Sequence, residues 1–179
     1  TQEYANGNVS SFYKIIYFAS KTVFFFALII VTPIFVYSED ILFLWLGNVP
    51  QYSAIFVAIT MIQLLIRSLH EPIDVIFKSS GHLKYYQLTS FFISIIGIPI
   101  IFLGQKLGLS IYYVFVGLCL MELIEMIIIV IMAVKEGLSL KLYFNNVLWP
   151  ALRVLILSVI FSFGVRLLDN IWIGLPILV

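Results

Sequence analysis

Arg67, His70, Glu71, Asp74 and Lys78 form the densest group of ionisable residues in this 179-residue chain. Arg67 and Glu71 are four apart, as are His70 and Asp74, and Asp74 and Lys78. On a helix such pairs are neighbours. Two readings follow. The group is either a helix end that has left an apolar environment and is solvated, or the polar wall of a water-filled cavity inside a helical bundle. His70-Glu71-x-x-Asp74 also echoes a zinc-binding pattern, with Asp in place of a second His. Pro72 interrupts that helix and no third ligand is evident, so the reading is that no metal is bound here.

Glu122 and Glu125 are the second group. They are three apart and face one way in the middle of a very apolar stretch. A carboxylate at such a position costs at least about 2.5–3.5 kcal/mol on membrane insertion scales, so protonation or a partner must offset it. The pair is therefore either structural, matched to a basic residue such as Arg67 or Arg153 on another helix, or a cation or proton site. Arg153 by itself reads as a side chain reaching back to lipid headgroups. Cys119 is the only cysteine and lies inside an apolar run, so no disulfide can form within the chain. There is no Gly-rich phosphate loop and no Ser/His/Asp set on loops, and the chain does not read as an enzyme or as the holder of a cofactor. Asn8-Val9-Ser10 matches a glycosylation sequon, a three-residue pattern common by chance.

The elements that carry these residues are apolar to an unusual degree. Hydrophobic residues make up 63% of the chain and charged residues 11%, against roughly 25% charged in soluble domains. Mean hydropathy is +1.13. A formal net charge of +1 provides no basic field for nucleic acid. Five stretches, Val23–Tyr37, Tyr52–Arg67, Tyr85–Leu103, Ile111–Val134 and Leu148–Leu168, are long enough to be membrane-crossing helices, given that a bilayer core about 30 Å thick needs about 20 apolar residues. The expected fold is an all-α integral membrane bundle of five full helices and the start of a sixth at Ile171, preceded by a short interfacial helix over Phe12–Lys21.

Local signals refine this outline. Pro33 predicts a kink in the first span. Gly47-Asn48 predicts a turn, with Pro50 in the first turn of the second helix. That helix is expected to run to about Ser79 with Pro72 inside it, and to stop at Gly81. Gly104 to Gly108 reads as a tight turn, and Lys135 to Asn146 as a polar link. Lys14, Lys21, Lys78, Lys84, Lys135 and Lys141 fall on one side of the alternating spans, and only Lys106 and Arg166 on the other. The positive-inside bias then places the N-terminal side in the cytoplasm and Glu39-Asp40 outside.

Three motifs, in order, resemble a known family. Tyr4-x-x-Gly7-Asn8 before the interfacial stretch, Leu44-Trp45-Leu46-Gly47-x-Val49-Pro50-x-Tyr52 at the external turn, and Ser79-Ser80-Gly81-His82-Leu83-Lys84-Tyr85-Tyr86-Gln87 at the next turn are similar to segments of the polysaccharide biosynthesis (O-antigen type) flippases. These belong to the multidrug/oligosaccharidyl-lipid/polysaccharide exporter superfamily. The resemblance spans about Tyr4 to Pro150. It implies a bacterial inner-membrane, multi-pass transporter with two helical lobes around a central cavity. It implies an oligosaccharide on a polyprenyl diphosphate as the cargo, moved between leaflets by alternating access for surface polysaccharide or lipopolysaccharide assembly.

The same resemblance makes residues 1–134 part of the second lobe and 135–179 an extra C-terminal helix pair. The partners it implies are the lipid-linked oligosaccharide, membrane lipids and an N-terminal half of the same protein preceding Thr1. Within that frame Arg67, His70, Glu71, Asp74 and Lys78 are the cavity candidates, with Arg67 placed to grip phosphate oxygens. Glu122 and Glu125 are the ion or structural pair. His70, Glu71 and Asp74 depart from the family pattern, where these positions are small or apolar. A cation-coupled multidrug exporter of the same superfamily is the second reading, and a non-transporting scaffold or fragment the third.

Overall fold

The computed structural model describes the backbone of residues 8–174, with side chains through 162 and at 164 and 165. Tyr4 and Gly7 of the first resembling motif, and residues 175–179 of the expected sixth stretch, lie outside it. Among the described residues the chain is helical and contains no strand. The helices are α1 (Val9–Val36), α2 (Ser38–Leu46), α3 (Ser53–His70), α4 (Asp74–Ser80), α5 (Leu83–Lys106), α6 (Ile111–Lys135), α7 (Leu140–Tyr143) and α8 (Trp149–Gly174). A 3-10 turn, Glu71–Ile73, joins α3 to α4, and a π-helical turn, Phe144–Leu148, joins α7 to α8. Five segments are long and apolar enough to cross a membrane: Val9–Val36, Ser53–Ser80, Leu83–Lys106, Ile111–Lys135 and Leu140–Ser162.

The packing order is not the chain order. α8 packs on α1, α1 on α3, α3 on α6, and α6 on α5. The main core gathers at the end of the bundle where the chain enters α1. There Phe12, Ile16 and Tyr17 of α1 meet Ile73, Ile76 and Phe77 of the broken second segment, Ile129 and Ala133 of α6, and Tyr143 and Val147. A smaller core of Phe24, Leu28, Val31, Leu65 and Ala151 continues it along α1. Outside these cores the helices are apolar on their outward faces as well. Gly97 is the one buried residue of α5, while Ile98, Ile100, Phe102 and Leu103 are exposed. A surface of that kind is far more apolar than water-exposed faces tolerate.

The separate interfacial helix does not exist. Phe12–Lys21 is the first half of α1, which is continuous to Val36. No Gly or Pro lies between Val9 and Thr32 to interrupt it, and its Phe12, Tyr13, Ile16, Tyr17 and Ser20 are buried against protein rather than laid on an interface. Pro33 sits inside the last turn of α1; beside it Thr32 Oγ1 donates to the Leu28 carbonyl at 2.7 Å, and the Tyr37 amide donates to the Pro33 carbonyl at 3.0 Å.

Pro50 lies before α3 rather than in its first turn. Ser53 opens that helix, and Tyr52 takes a left-handed backbone (φ 74°) at the junction. The expected polar link over 135–146 is also largely helical. Gly137 (φ 109°) turns the chain, Ser139 accepts from the Leu142 amide to start α7, and the backbone is helical from there through the π turn. Apolar anchoring explains the difference, since Leu138, Tyr143 and Val147 are buried while Lys141, Asn145 and Asn146 stay exposed. Finally, α8 runs through Asp169 and Asn170 without a break. No Gly or Pro stands between Val165 and Ile173, so nothing in the backbone separates a fifth span from a sixth there.

Candidate functional site

The site lies where α3, α5 and α6 meet. α3 ends in Arg67 and His70, three residues apart and hence on one face. Pro72 has no amide hydrogen, and a 3-10 turn replaces the α-helix over Glu71–Ile73. This turn breaks the line of neighbours that spacing alone suggests. Arg67 and Glu71 are not an ion pair, and neither are His70 and Asp74; both basic residues reach across to α6. Arg67 Nε donates to Glu122 Oε1 at 3.1 Å and Nη2 donates to Oε2 at 3.0 Å, a two-pronged match of guanidinium to carboxylate. His70 Nε2 lies 3.3 Å from the same Oε1.

Burial is uneven across this triad. Glu122 and His70 are buried, at 6% and 3% exposed, while the Arg67 side chain is about half exposed at 56%. An ionised carboxylate only accepts, so the His70 nitrogen that faces it, Nε2, is the donor. That Nδ1 is buried and has no hydrogen-bond partner among the described residues, and neither has Ser90 Oγ.

A cleft runs along the exposed side of Arg67. One part is walled by Gln63, Arg67, Ser94, Gly97, Glu122 and Glu125, with Ile98, Met121 and other apolar neighbours. The adjoining part is walled by Arg67, His70, Glu71, Tyr86, Gln87, Ser90, Ser94 and Glu125. Gly97 makes room for it: a Cβ there would stand 2.8 Å from Met121 Sδ. The Tyr86 ring stacks on Phe77 at 5.1 Å, which fixes one corner. The cleft gathers polar groups between three helices whose other faces are apolar, and three nitrogens, two of Arg67 and one of His70, meet one carboxylate.

The remaining candidates lie elsewhere or apart. Asp74 and Lys78 pair with each other at 2.5 Å across one turn of α4 and are not among the cleft's lining side chains. Glu125 lines both parts of the cleft but makes no ion pair among the described residues, unlike Glu122 beside it. Arg153 stacks over the Trp149 ring at 4.8 Å and pairs with neither glutamate. His82 Nδ1 and Glu136 Oε1 meet at 2.7 Å at the ends of α5 and α6, away from the cleft. No cluster of three or more His, Cys, Asp or Glu side chains that could hold a metal ion occurs among the described residues.

Sequence reasoning passed over Gln63 and the α5 wall. The signal was present: Gln87, Ser90, Ser94 and Gly97 recur at three- and four-residue steps, a polar and small stripe on an otherwise apolar helix. Gln63, Arg67 and His70 form the matching stripe on α3. Compared with known proteins, the chain matches no family model, no curated protein and no solved structure.

Proposed function

We propose that the chain is part of a bacterial inner-membrane transporter that moves a polyprenyl-diphosphate-linked oligosaccharide across the bilayer by alternating access. The observation that carries this reading is the half-exposed Arg67 guanidinium in a polar cleft between helices that are apolar on the outside. A diphosphate headgroup needs a cation that stays charged in an apolar setting and offers paired donors. Arginine meets both needs, since its guanidinium does not deprotonate in proteins and its fork matches phosphate oxygens. Amide and hydroxyl groups of Gln63, Gln87, Ser90 and Ser94 on the facing walls suit a hydroxylated cargo. The ordered turn motifs around Gly47 and Gly81, which resemble those of O-antigen type flippases, support the same reading.

Membrane insertion is part of the proposal. Five helices of sufficient length and hydropathy support it, and sodium carbonate extraction of membranes from cells producing the chain tests it: the chain stays in the pellet. The transport reading is tested in the cells that use the protein. Arg67→Ala is expected to lower surface glycan and let its lipid-linked precursor accumulate on the cytoplasmic leaflet, with Arg67→Lys intermediate. Normal surface glycan in an Arg67→Ala, Asp74→Ala double variant would sink it. In that case the Arg67, His70 and Glu122 group joins α3 to α6 without handling cargo, and the scaffold reading takes over.

A further inference from the structure

The Arg67 fork is already engaged. Nε and Nη2 hold both oxygens of Glu122 at 3.1 and 3.0 Å, which is the geometry any oxyanion would seek. An anion that uses Arg67 must displace Glu122. Glu122 is 6% exposed, and a carboxylate so buried cannot be left without a cation or hydrogen-bond donors. One other group that can become a cation is in reach, the His70 ring, 3.3 Å from Oε1. In the neutral ring with Nε2–H facing Glu122, Nδ1 holds the lone pair. That nitrogen is buried, has no partner among the described residues, and belongs to a side chain lining the same cleft as Arg67.

Charge counting links the two events. Guanidinium, carboxylate and neutral imidazole sum to zero. One incoming negative charge leaves the triad at minus one unless Nδ1 takes a proton from water. The imidazolium then holds Glu122 and Arg67 holds the anion, so one negative charge is balanced within the triad, and the remaining charge of a diphosphate is left to solvent on the exposed side of Arg67. Unbalanced charge costs far more in an apolar interior than in water. The other titratable groups facing the triad add to this demand. Glu71 of the 3-10 turn and Glu125 of α6 are carboxylates, and Tyr86 of α5 is a neutral acid. The hydroxyls of Tyr17 on α1 and Tyr143 on α7 are committed to Ser139 and Leu69, and no second Arg and no Lys lines the cleft.

We infer that Glu122 is a displaceable internal occupant of the Arg67 anion site, and that an anion enters in exchange for transfer of Glu122 to His70, with one proton taken up at Nδ1. The choice of a prenyl diphosphate as the anion rests on the function proposed above; the exchange itself does not.

The test is calorimetric titration of the whole chain in non-ionic micelles with farnesyl diphosphate, and separately with inorganic pyrophosphate, in buffers of different ionisation enthalpy. At about pH 7.5, above the ordinary histidine range, the wild type is expected to take up about one proton more per bound anion than His70→Asn. Glu122→Gln removes the internal competitor. It is expected to bind about tenfold more tightly or better, since the free fork is no longer a minor population, and to take up no more protons than His70→Asn. Equal or weaker binding by Glu122→Gln overturns the exchange, as does equal proton uptake by wild type and His70→Asn. If Glu122→Gln does not fold, the wild-type and His70→Asn difference decides alone. Pyrophosphate binding with this pattern, without any preference for the prenyl compound, supports the exchange and overturns the lipid-headgroup reading. No heat with either probe in wild type and Glu122→Gln overturns both.

Discussion

Glu122 accepts from two nitrogens of Arg67 and lies against a third on His70, so three contacts from α3 converge on one carboxylate of α6. Removing either end of such a contact has unequal consequences. Without Arg67 the carboxylate stays buried with only His70 beside it. Without the Glu122 charge, Arg67 remains half exposed and can be solvated. Arg67→Met is therefore expected to lower thermal stability in detergent more than Glu122→Gln, by about 2 kcal/mol against about 1 kcal/mol or less. The double variant should recover part of the loss, and a coupling of about 1–3 kcal/mol in the cycle is the expected readout. Full additivity would mean that the pair is not formed in solution. The ionisable residues of this site were visible in the sequence, but their pairing was not. Spacing on an ideal helix sends Arg67 to Glu71 and His70 to Asp74. Pro72 replaces the ideal helix with a 3-10 turn, and the choice among several carboxylates is made by a tertiary contact that no local pattern encodes.

At the scale of elements, the joint between α6 and α7 depends on one glycine. Gly137 has φ 109°, and a Cβ placed on it would stand 2.8 Å from the Tyr13 hydroxyl, which donates to the neighbouring Glu136 carbonyl. Gly137→Ala is expected to destabilise by about 1–3 kcal/mol through backbone strain and the displaced tyrosine. Tyr13→Phe, Gly137→Ala should recover the part due to the hydroxyl. On α5, Gly97→Val would push into Met121 and narrow the cleft beside Arg67. It should weaken farnesyl diphosphate binding in the calorimeter while leaving the melting temperature nearly unchanged, because the Met121 side chain can yield. Element types were legible from apolar runs and from Gly47 and Gly81, whose positive φ ends α2 and α4. Element boundaries were less so. α1 is longer than its apolar run because polar Lys14 and Lys21 can stay on its open side while Phe12, Ile16 and Tyr17 pack. The segment over 140–148 is helical because Tyr143 and Val147 bury there, a pattern that the polar Lys141, Asn145 and Asn146 interrupt in the sequence.

For the whole molecule, the distribution of lysines makes a statement about orientation. With the helix order described, Lys84 and Lys141 lie at the same end of the bundle as the start of α1, and Glu39 and Lys106 at the other. Positive charge is retained in the cytoplasm, so single cysteines at 84 and 141 in a Cys119→Ala background should resist a membrane-impermeant thiol reagent in intact cells. Cysteines at 39 and 106 should react. Labelling of position 84 from outside would reverse the orientation, and with it the direction from which Arg67 is first reached.

Among the described residues the two ends of the bundle are braced by different contacts. At the start of α1, three tyrosine hydroxyls are tied to backbone across long sequence distances: Tyr13 to Glu136, Tyr17 to Ser139, and Tyr143 to Leu69. His82 and Glu136 close the same end, which also holds the main core. At the opposite end, the α2–α3 and α5–α6 turns meet in an edge contact between the Tyr52 and Tyr112 rings. Helices tied at one extremity by buried hydroxyl bonds and a packed core would turn about that end as a common fulcrum. A tilt of a few degrees at the tyrosine clasp leaves the buried core nearly undisturbed but separates the far tips by several times more. The Arg67 cleft, near the fulcrum, would change its width little while its distant mouth swings open or shut.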